Sequence, residues 1–296
     1  MILLRLEQRS GCNERVDLPL IKSCFSSWGD QFGTFICRGW KEFGLKIIGN
    51  MNNPQDTRTG CAIQGSLGII LPLANEQETV EALLQEILSY IGPADTIHPV
   101  LDRVSTDGTR ALIDGMAQAD ARIRLVWAPE NRCVVDAYFA GYRAALMAGC
   151  GWILEMDGGF SHLPSQIPLF LEARAHDYDY VGGSRFLSGG SHQGPMSRRL
   201  LSWGGSQLAR MMLKCPMTDL TGGFQLYRRG FLEEIVRDGV MSRAHFFQTE
   251  IRYRAFTKRW CEVPITYGRT RAWVAGGSIL EAISNLRKLA RTRPRR

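Results

Sequence analysis

Asp157 emerges directly from the apolar run 151–156 and is followed by Gly158, Gly159, Phe160, Ser161 and His162. An acid that ends a buried strand, next to two glycines that let a ligand approach the backbone, suits a diphosphate or the metal ion that accompanies one. Asp102 ends an earlier run in the same way. A carboxylate there can accept hydrogen bonds from a nucleobase or ribose, or it can brace its own loop. Asp107 stands before Gly108 and Thr109, where capping the next helix is the better reading. Arg185, Arg198 and Arg199 bring a different chemistry. Guanidinium forks match phosphate oxygens two at a time and stay charged, although each could equally close a surface salt bridge. Asp219 with Thr221, and Glu250 after Phe246 and Phe247, could shape a pocket around a sugar or acceptor. A turn residue and a solvated helix residue are the plainer alternatives.

These groups need a frame. From Leu67 a short apolar run is followed by Val80, Leu83, Leu84, Ile87, Leu88 and Ile91 at helical spacing, which predicts a buried strand and then an amphipathic helix. Strand candidates follow at 96–102, 122–128, 151–157 and 178–183, alternating with helix candidates at 108–119, 132–149 and 165–175. Such βαβα order predicts an α/β fold, a mostly parallel sheet with helices on both faces and ligands beyond the carboxyl ends of the strands. After residue 190 the order loosens. Helices are expected near 198–214, 246–258 and 278–292, with a turn-rich stretch around Gly222 and Gly223 and a strand over 261–267. The first strand turn carries neither G-x-G-x-x-G nor G-x-x-x-x-G-K-S/T, so nicotinamide and P-loop nucleotide chemistry rank low.

Taken in order, the motifs resemble those of family 2 glycosyltransferases. Pro72 to Glu76 looks like the P-x-x-N-E turn, Asp102 to Thr109 like D-D-x-S-x-D-G-T, and Met156 to His162 like M-D-A-D-x-S-H. The likeness continues through Gly183-Ser184-Arg185-Phe186, Arg198 or Arg199 with Ser202, Asp219 to Phe224, Phe247 to Glu250 and Glu262 to Ile265, covering roughly residues 67 to 280. The pattern is most similar to the dolichyl-phosphate (polyprenyl-phosphate) mannose synthase branch. That resemblance implies a GT-A, Rossmann-like fold and a hexose moved from a nucleotide sugar, GDP-mannose or a UDP-hexose, to a polyprenyl phosphate. It implies donor contacts from Pro72, Ala74, Glu76, Asp102, Asp157, Gly158 and Gly159. It also implies acceptor phosphate contacts from Arg185, Arg198, Arg199 and Ser202, and catalytic work from Asp157, Asp219 and Glu250. A lipid phosphate is already an anion at neutral pH, so positioning and charge neutralisation matter more than a base.

Two positions depart from the pattern: Arg103 stands for the second strand-end acid and Gly159 for the second acid of D-x-D. Two readings follow for the cofactor. Asp157 alone could hold Mg²⁺ or Mn²⁺ together with the donor phosphates, or the arginines could neutralise charge without metal. Near the C-terminus, Arg269, Arg271 and Gly277-Ser278-Ile279 fit the family signature only with shifted spacing and no lysine.

The 296 residues, 45 % apolar, allow one large domain, expected over 65–276. Residues 1–64 read as an extension of unassigned role, with Met51 a candidate natural start, and 277–296 as a basic amphipathic helix and tail. From Arg269 onward eight basic residues face one acid, an excess equal to the whole net charge of +7. The near-neutral body argues against nucleic acid. The tail suits an anionic membrane surface or a solvated end, and the last helix, with Ile279, Ile283, Leu286 and Leu289 near one face, could lie on a membrane or pack on the domain. Eight scattered cysteines without C-x-x-C read as reduced thiols. With no signal peptide or spanning helix evident, the expected location is the cytoplasm, peripherally at the cytoplasmic face of a membrane. A catalytically degenerate nucleotide-sugar or lipid-phosphate binding protein is the main alternative. A membrane-docked scaffold is another, but it leaves the ordered motifs unexplained.

Overall fold

The computed structural model describes residues 65–268 and 276–292. The extension read over residues 1–64, the arginines at 269 and 271 and the last four residues lie outside that set.

The first half follows the alternation seen in the sequence. Strands β1 (Leu67–Pro72), β2 (Thr96–Leu101), β3 (Val126–Trp127) and β4 (Trp152–Glu155) are joined by helices α1 (Val80–Tyr90), α2 (Thr109–Ala119) and α3 (Val134–Met147). The strands pair in parallel in the order β3-β2-β1-β4. β1 is continuously apolar because both faces are covered: Leu67, Ile69 and Leu71 pack with α1, and Ile70 lies under Tyr138 and Tyr142 of α3. The candidate strand 122–128 shrinks to a two-residue edge ladder beyond an isolated Ile97–Ile123 bridge, where the Arg110 guanidinium covers Trp127 at 4.2 Å.

The second half departs from strict alternation. After α4 (Ile167–Arg174) come β5 (Tyr180–Ser184), β6 (Ser191–His192), α5 (Met196–Leu213), β7 (Gln225–Arg228) and α6 (Arg229–Asp238). The chain continues through α7 (Phe246–Ala255), β8 (Trp260–Pro264), β9 (Thr266–Tyr267) and α8 (Gly276–Arg291). β7 inserts antiparallel between β4 and β5, and β8 pairs parallel with β5, giving the order β3-β2-β1-β4-β7-β5-β8. The result is a mostly parallel sheet with one reversed strand; β6 and β9 form a separate parallel pair. The sequence reading places neither β7 nor α6, although Phe231, Leu232 and Ile235 of α6 stand at helical spacing and are buried. β7 has only four residues after a Gly-Gly turn, and its Gln225 is fully buried by the strands on both sides rather than alternating outward.

Leu286 and Leu289 of α8 are buried against α5 and α7, whereas Ile279, Leu280 and Ile283 are exposed. Glu281 secures the helix by accepting hydrogen bonds from Ser242 Oγ and the Arg243 amide, both at 2.9 Å. The apolar stripe of this helix therefore divides between the domain and the outside. Among the described residues no helix is long and apolar enough to cross a membrane. Cys133, Cys150, Cys215 and Cys261 are free thiols.

Candidate active site

The loops after β1 and β2 are clasped together. Asn75 adopts a left-handed conformation (φ +56°), which asparagine tolerates better than most residues. From there its amide donates to Ser105 Oγ, its side-chain nitrogen donates to the Val104 carbonyl, and its side-chain oxygen accepts from the Thr106 amide at 2.9 Å. The Glu76 amide donates to Thr109 Oγ1 at 2.8 Å, and the Gln77 amide to Asp107 Oδ2. Asp107 also accepts from the amide and hydroxyl of Thr109, which hold its carboxyl below the usual range and tie down the first turn of α2. Asp102 is half-buried; it accepts from the Val104 amide and from Asn131 Nδ2. Arg103 beside it is exposed.

Asp157 follows β4 at the mouth between these loops. Tyr138 of α3 donates to Asp157 Oδ1 at 2.5 Å, and the Asp157 amide donates to His162 Nδ1 at 2.9 Å. The His162 ring is buried, stacked on Phe224 with centroids 4.7 Å apart, and its Nε2 stands 3.8 Å from Asp157 Oδ2 without a hydrogen bond. Burial lowers its pKa, so the ring is neutral, and an Nδ1 that accepts leaves the proton on Nε2. Asp157 itself keeps 28 % of its side chain exposed. Gly159 and Phe160 both take left-handed conformations, a sparsely populated region for phenylalanine that marks this turn as strained.

Behind Asp157 lies a group that the sequence reading missed. Glu155, fully buried at the end of β4, accepts hydrogen bonds from Tyr142 and Tyr227 and from the amides of Gln225 and Gln248. Burial pushes its pKa up to about 7, against the opposing pull of the tyrosine hydroxyls. Tyr138 and Tyr142, one helical turn apart on α3, thus serve the two carboxylates of one strand end. An acid inside an apolar strand was the available signal. Gly223 lets these groups converge: a Cβ there would lie 2.2 Å from Gln248 Nε2 and 3.4 Å from Asp157 Oδ1.

A second polar cluster is sealed. Arg185 grips Asp219 bidentately at 2.7 and 2.9 Å and adds a bond to Thr221 Oγ1. Burial alone would raise the Asp219 carboxyl; the Arg185 and Arg252 charges outweigh it and hold the group far below the carboxylate range. Arg252, also fully buried and likewise missed, donates to the carbonyls of Gly183, Asp219 and Gly222. Glu262 completes the cluster by accepting from the amides of Thr218 and Asp219. The sequence groups Asp219 and Glu250 with Asp157, but the structure separates them. Asp219 has no exposed surface; its carboxylate is engaged by Arg185, Ser206 and Thr221. Glu250 is turned to the Met241 amide and Arg254.

Tyr267 links the two clusters, its ring 5.3 Å from His162, 5.1 Å from His192 and 5.5 Å from the Arg185 guanidinium carbon. His192, a further residue not singled out from sequence, is depressed to about 4 by burial and then by the charges of Arg185, Arg198 and Arg199. Ser202 lies 3.4 Å from an Arg185 nitrogen, and Arg199 is exposed.

Pro72, Ala74 and Glu76 fall at or just after the end of β1, Asp102 directly after β2, and Asp157, Gly158 and Gly159 just after β4, while Arg185 directly follows β5 and Arg198 and Arg199 stand on α5. The glycosyl transferase family 2 profile matches residues 68–236. An undecaprenyl-phosphate mannosyltransferase of Micrococcus luteus is 34 % identical over 225 residues, covering 73 % of this chain and 90 % of that protein. A polyprenol monophosphomannose synthase of Mycolicibacterium smegmatis is 31 % identical over 222 residues, with coverage of 73 % and 83 %. Among solved structures, glucosyl-3-phosphoglycerate synthase of Mycobacterium tuberculosis with UDP superposes with a TM-score of 0.56 at 16 % identity, over 80 % of this chain and 87 % of that one. The same enzyme with Mn²⁺, UDP and glucosyl-3-phosphoglycerate gives 0.55 at 17 %, over the same shares of the two chains. On the profile match and the identity to these relatives, the chain is a glycosyltransferase and belongs to glycosyl transferase family 2.

Proposed function

We propose that the enzyme transfers a hexose, mannose from GDP-mannose first among the candidates, to a polyprenyl phosphate. The two curated relatives, whose names specify mannosyl transfer to polyprenyl carriers, support the substrate classes. The observation that carries the acceptor is the two-sided character of α5. Its inner face brings Ser202 and Ser206 to the Arg185–Asp219 pair. Its outer face exposes Met196, Leu200, Leu201, Trp203, Leu208 and Met211. A helix that carries phosphate-binding groups inward and so much apolar surface outward suits an acceptor whose phosphate must enter a polar pocket while its chain stays in lipid. The exposed apolar residues of α8, with Arg287, Lys288 and Arg291, adjoin α5 and suit an anionic membrane surface, on which the protein would rest peripherally.

In this reading Asp157 faces the donor diphosphate, and Arg198 and Arg199 of α5, with Arg185 directly after β5, draw the acceptor phosphate towards the anomeric carbon. The acceptor arrives as an anion and needs no dedicated base. A divalent cation fits at Asp157, where Oδ1 is held by Tyr138 and Oδ2 accepts no hydrogen bond among the described residues. When bound, it would offset charge on the departing nucleoside diphosphate. No cluster of three His, Cys, Asp or Glu side chains suited to metal occurs among the described residues, so donor phosphates would complete the shell.

The test is purified protein with a panel of GDP- and UDP-sugars and a short polyprenyl phosphate in anionic vesicles, with Mg²⁺, Mn²⁺ or EDTA. Mannosyl-phosphoryl-lipid formed from GDP-mannose is expected. Transfer from a UDP-hexose alone would reassign the donor, and nucleotide-sugar binding without transfer to any acceptor would replace the enzyme reading with a binding protein.

A further inference from the structure

Gly159 occupies the place of the second acid in D-x-D, and its backbone is left-handed, with φ +60°. A Cβ on Gly159 would lie 2.8 Å from Glu76 Oε1 and 3.2 Å from Glu76 Oε2. The space beside the backbone at 159 is therefore filled by a carboxylate arriving from the facing β1–α1 loop. That carboxylate is held on one side only. The Glu76 amide is fixed by Thr109 Oγ1 at 2.8 Å and Glu76 Oε2 accepts from Thr79 Oγ1 at 2.5 Å, while Oε1 accepts no hydrogen bond among the described residues. The two loops meet because β1 and β4 are adjacent parallel strands, and a Cβ on Gly158 would already lie 3.6 Å from the Pro72 carbonyl.

An independent feature marks the same place as a ligand site. His162 has no exposed surface, yet its Nε2 has no hydrogen-bond partner and lies on the side of Asp157 Oδ2, 3.8 Å away. Unpaired buried donors are uncommon and call for a reason, and an Asp157 carboxylate drawn outward to a cation supplies one.

We infer that Glu76 replaces the acid missing at Gly159: Asp157 and Glu76, from facing loops, form a two-carboxylate site for Mg²⁺ or Mn²⁺, the remaining positions going to water and the donor diphosphate. Two carboxylates and substrate phosphates are a common shell for such ions. The site rests on the proposed use of a nucleotide-sugar donor, but its metal affinity can be measured without any donor.

MnCl₂ is titrated into the full chain without nucleotide and free aqua-Mn²⁺ is followed by electron paramagnetic resonance, then repeated with GDP; thermal melts check that each variant is folded. The wild type is expected to bind Mn²⁺, and Glu76→Gln and Asp157→Asn each to weaken it by more than roughly tenfold, since even outer partners of metal ligands cost about 10–100-fold. The double variant Glu76→Ala/Gly159→Asp, which returns the acid to the other loop, is expected to recover part of the affinity that Glu76→Ala alone loses. Mn²⁺ binding in Glu76→Gln within about twofold of wild type, or no binding by the wild type in either arm, overturns the inference. An intact Mn²⁺ site with no affinity for GDP or UDP would instead count against the donor reading alone.

Discussion

Two carboxylates of this molecule, Asp157 and Asp219, grouped as catalytic in the sequence reading, live in opposite environments. Asp157 is partly open, held by one tyrosine and backed by a neutral histidine. Asp219 is sealed between Arg185 and Arg252, every oxygen engaged. The first arrangement leaves charge available to something arriving from solvent, whereas the second uses up its charge in fixing the cation that faces the site. An acid near a ligand can thus act by contact or by holding another group in place, and the side-chain partners decide which.

Mutations can break this contrast in order of size. Asp219→Asn should destabilise the fold by about 3–5 kcal/mol, because it leaves buried guanidinium charge unpaired; urea midpoints with unchanged slope would show it. Asp157→Asn should leave that midpoint nearly unmoved and reduce sugar transfer by roughly 10²–10³-fold, the scale of losing a positioned electrostatic group. Equal effects of the two changes on stability would erase the distinction.

Glu155 sharpens it further. Its pKa is about 7 in the folded protein against an ordinary 4.5. Between those values the folded state holds a proton that the unfolded state has released, so this group's contribution is full below 4.5 and is lost as pH rises through 7. Denaturation at pH 5 and pH 8 should show that loss, and Glu155→Gln should remove on the order of 1–3 kcal/mol of the difference. The smallest effect is expected at the rim: Arg199→Ala, on the exposed side of α5, should raise KM for polyprenyl phosphate about 3- to 10-fold while donor KM stays level, in proportion to one solvent-exposed charged contact.

Much of the frame was legible. The apolar runs and helical spacings placed β1, β2, β4 and β5 and their helices within a few residues, since each signal is local and both sheet faces are covered. Asp107 stands one residue before Gly108, which occupies the cap position of α2; its bonds to Thr109 are local, but the bond it accepts from the Gln77 amide spans 30 positions and depends on the fold. β7 escaped because four residues behind a glycine turn carry no periodicity, and its reversal is set by the strands on either side. Glu155 escaped for a related reason: its partners Tyr227 and Gln248 are 72 and 93 positions away. Arg252 and the division of the α8 apolar stripe depend likewise on packing between distant elements.

The sequence by itself determined the alternation of strands and helices, the acids and glycines at strand ends and the concentration of arginines, because residue type and near spacing govern local conformation and chemical capacity. Only the tertiary structure decided which acid stays open, which arginine is already gripped, and that Glu76 crosses to the space beside Gly159. Burial and pairing are properties of groups brought together across the fold, and they set whether a charge is spent on the protein or left for a ligand.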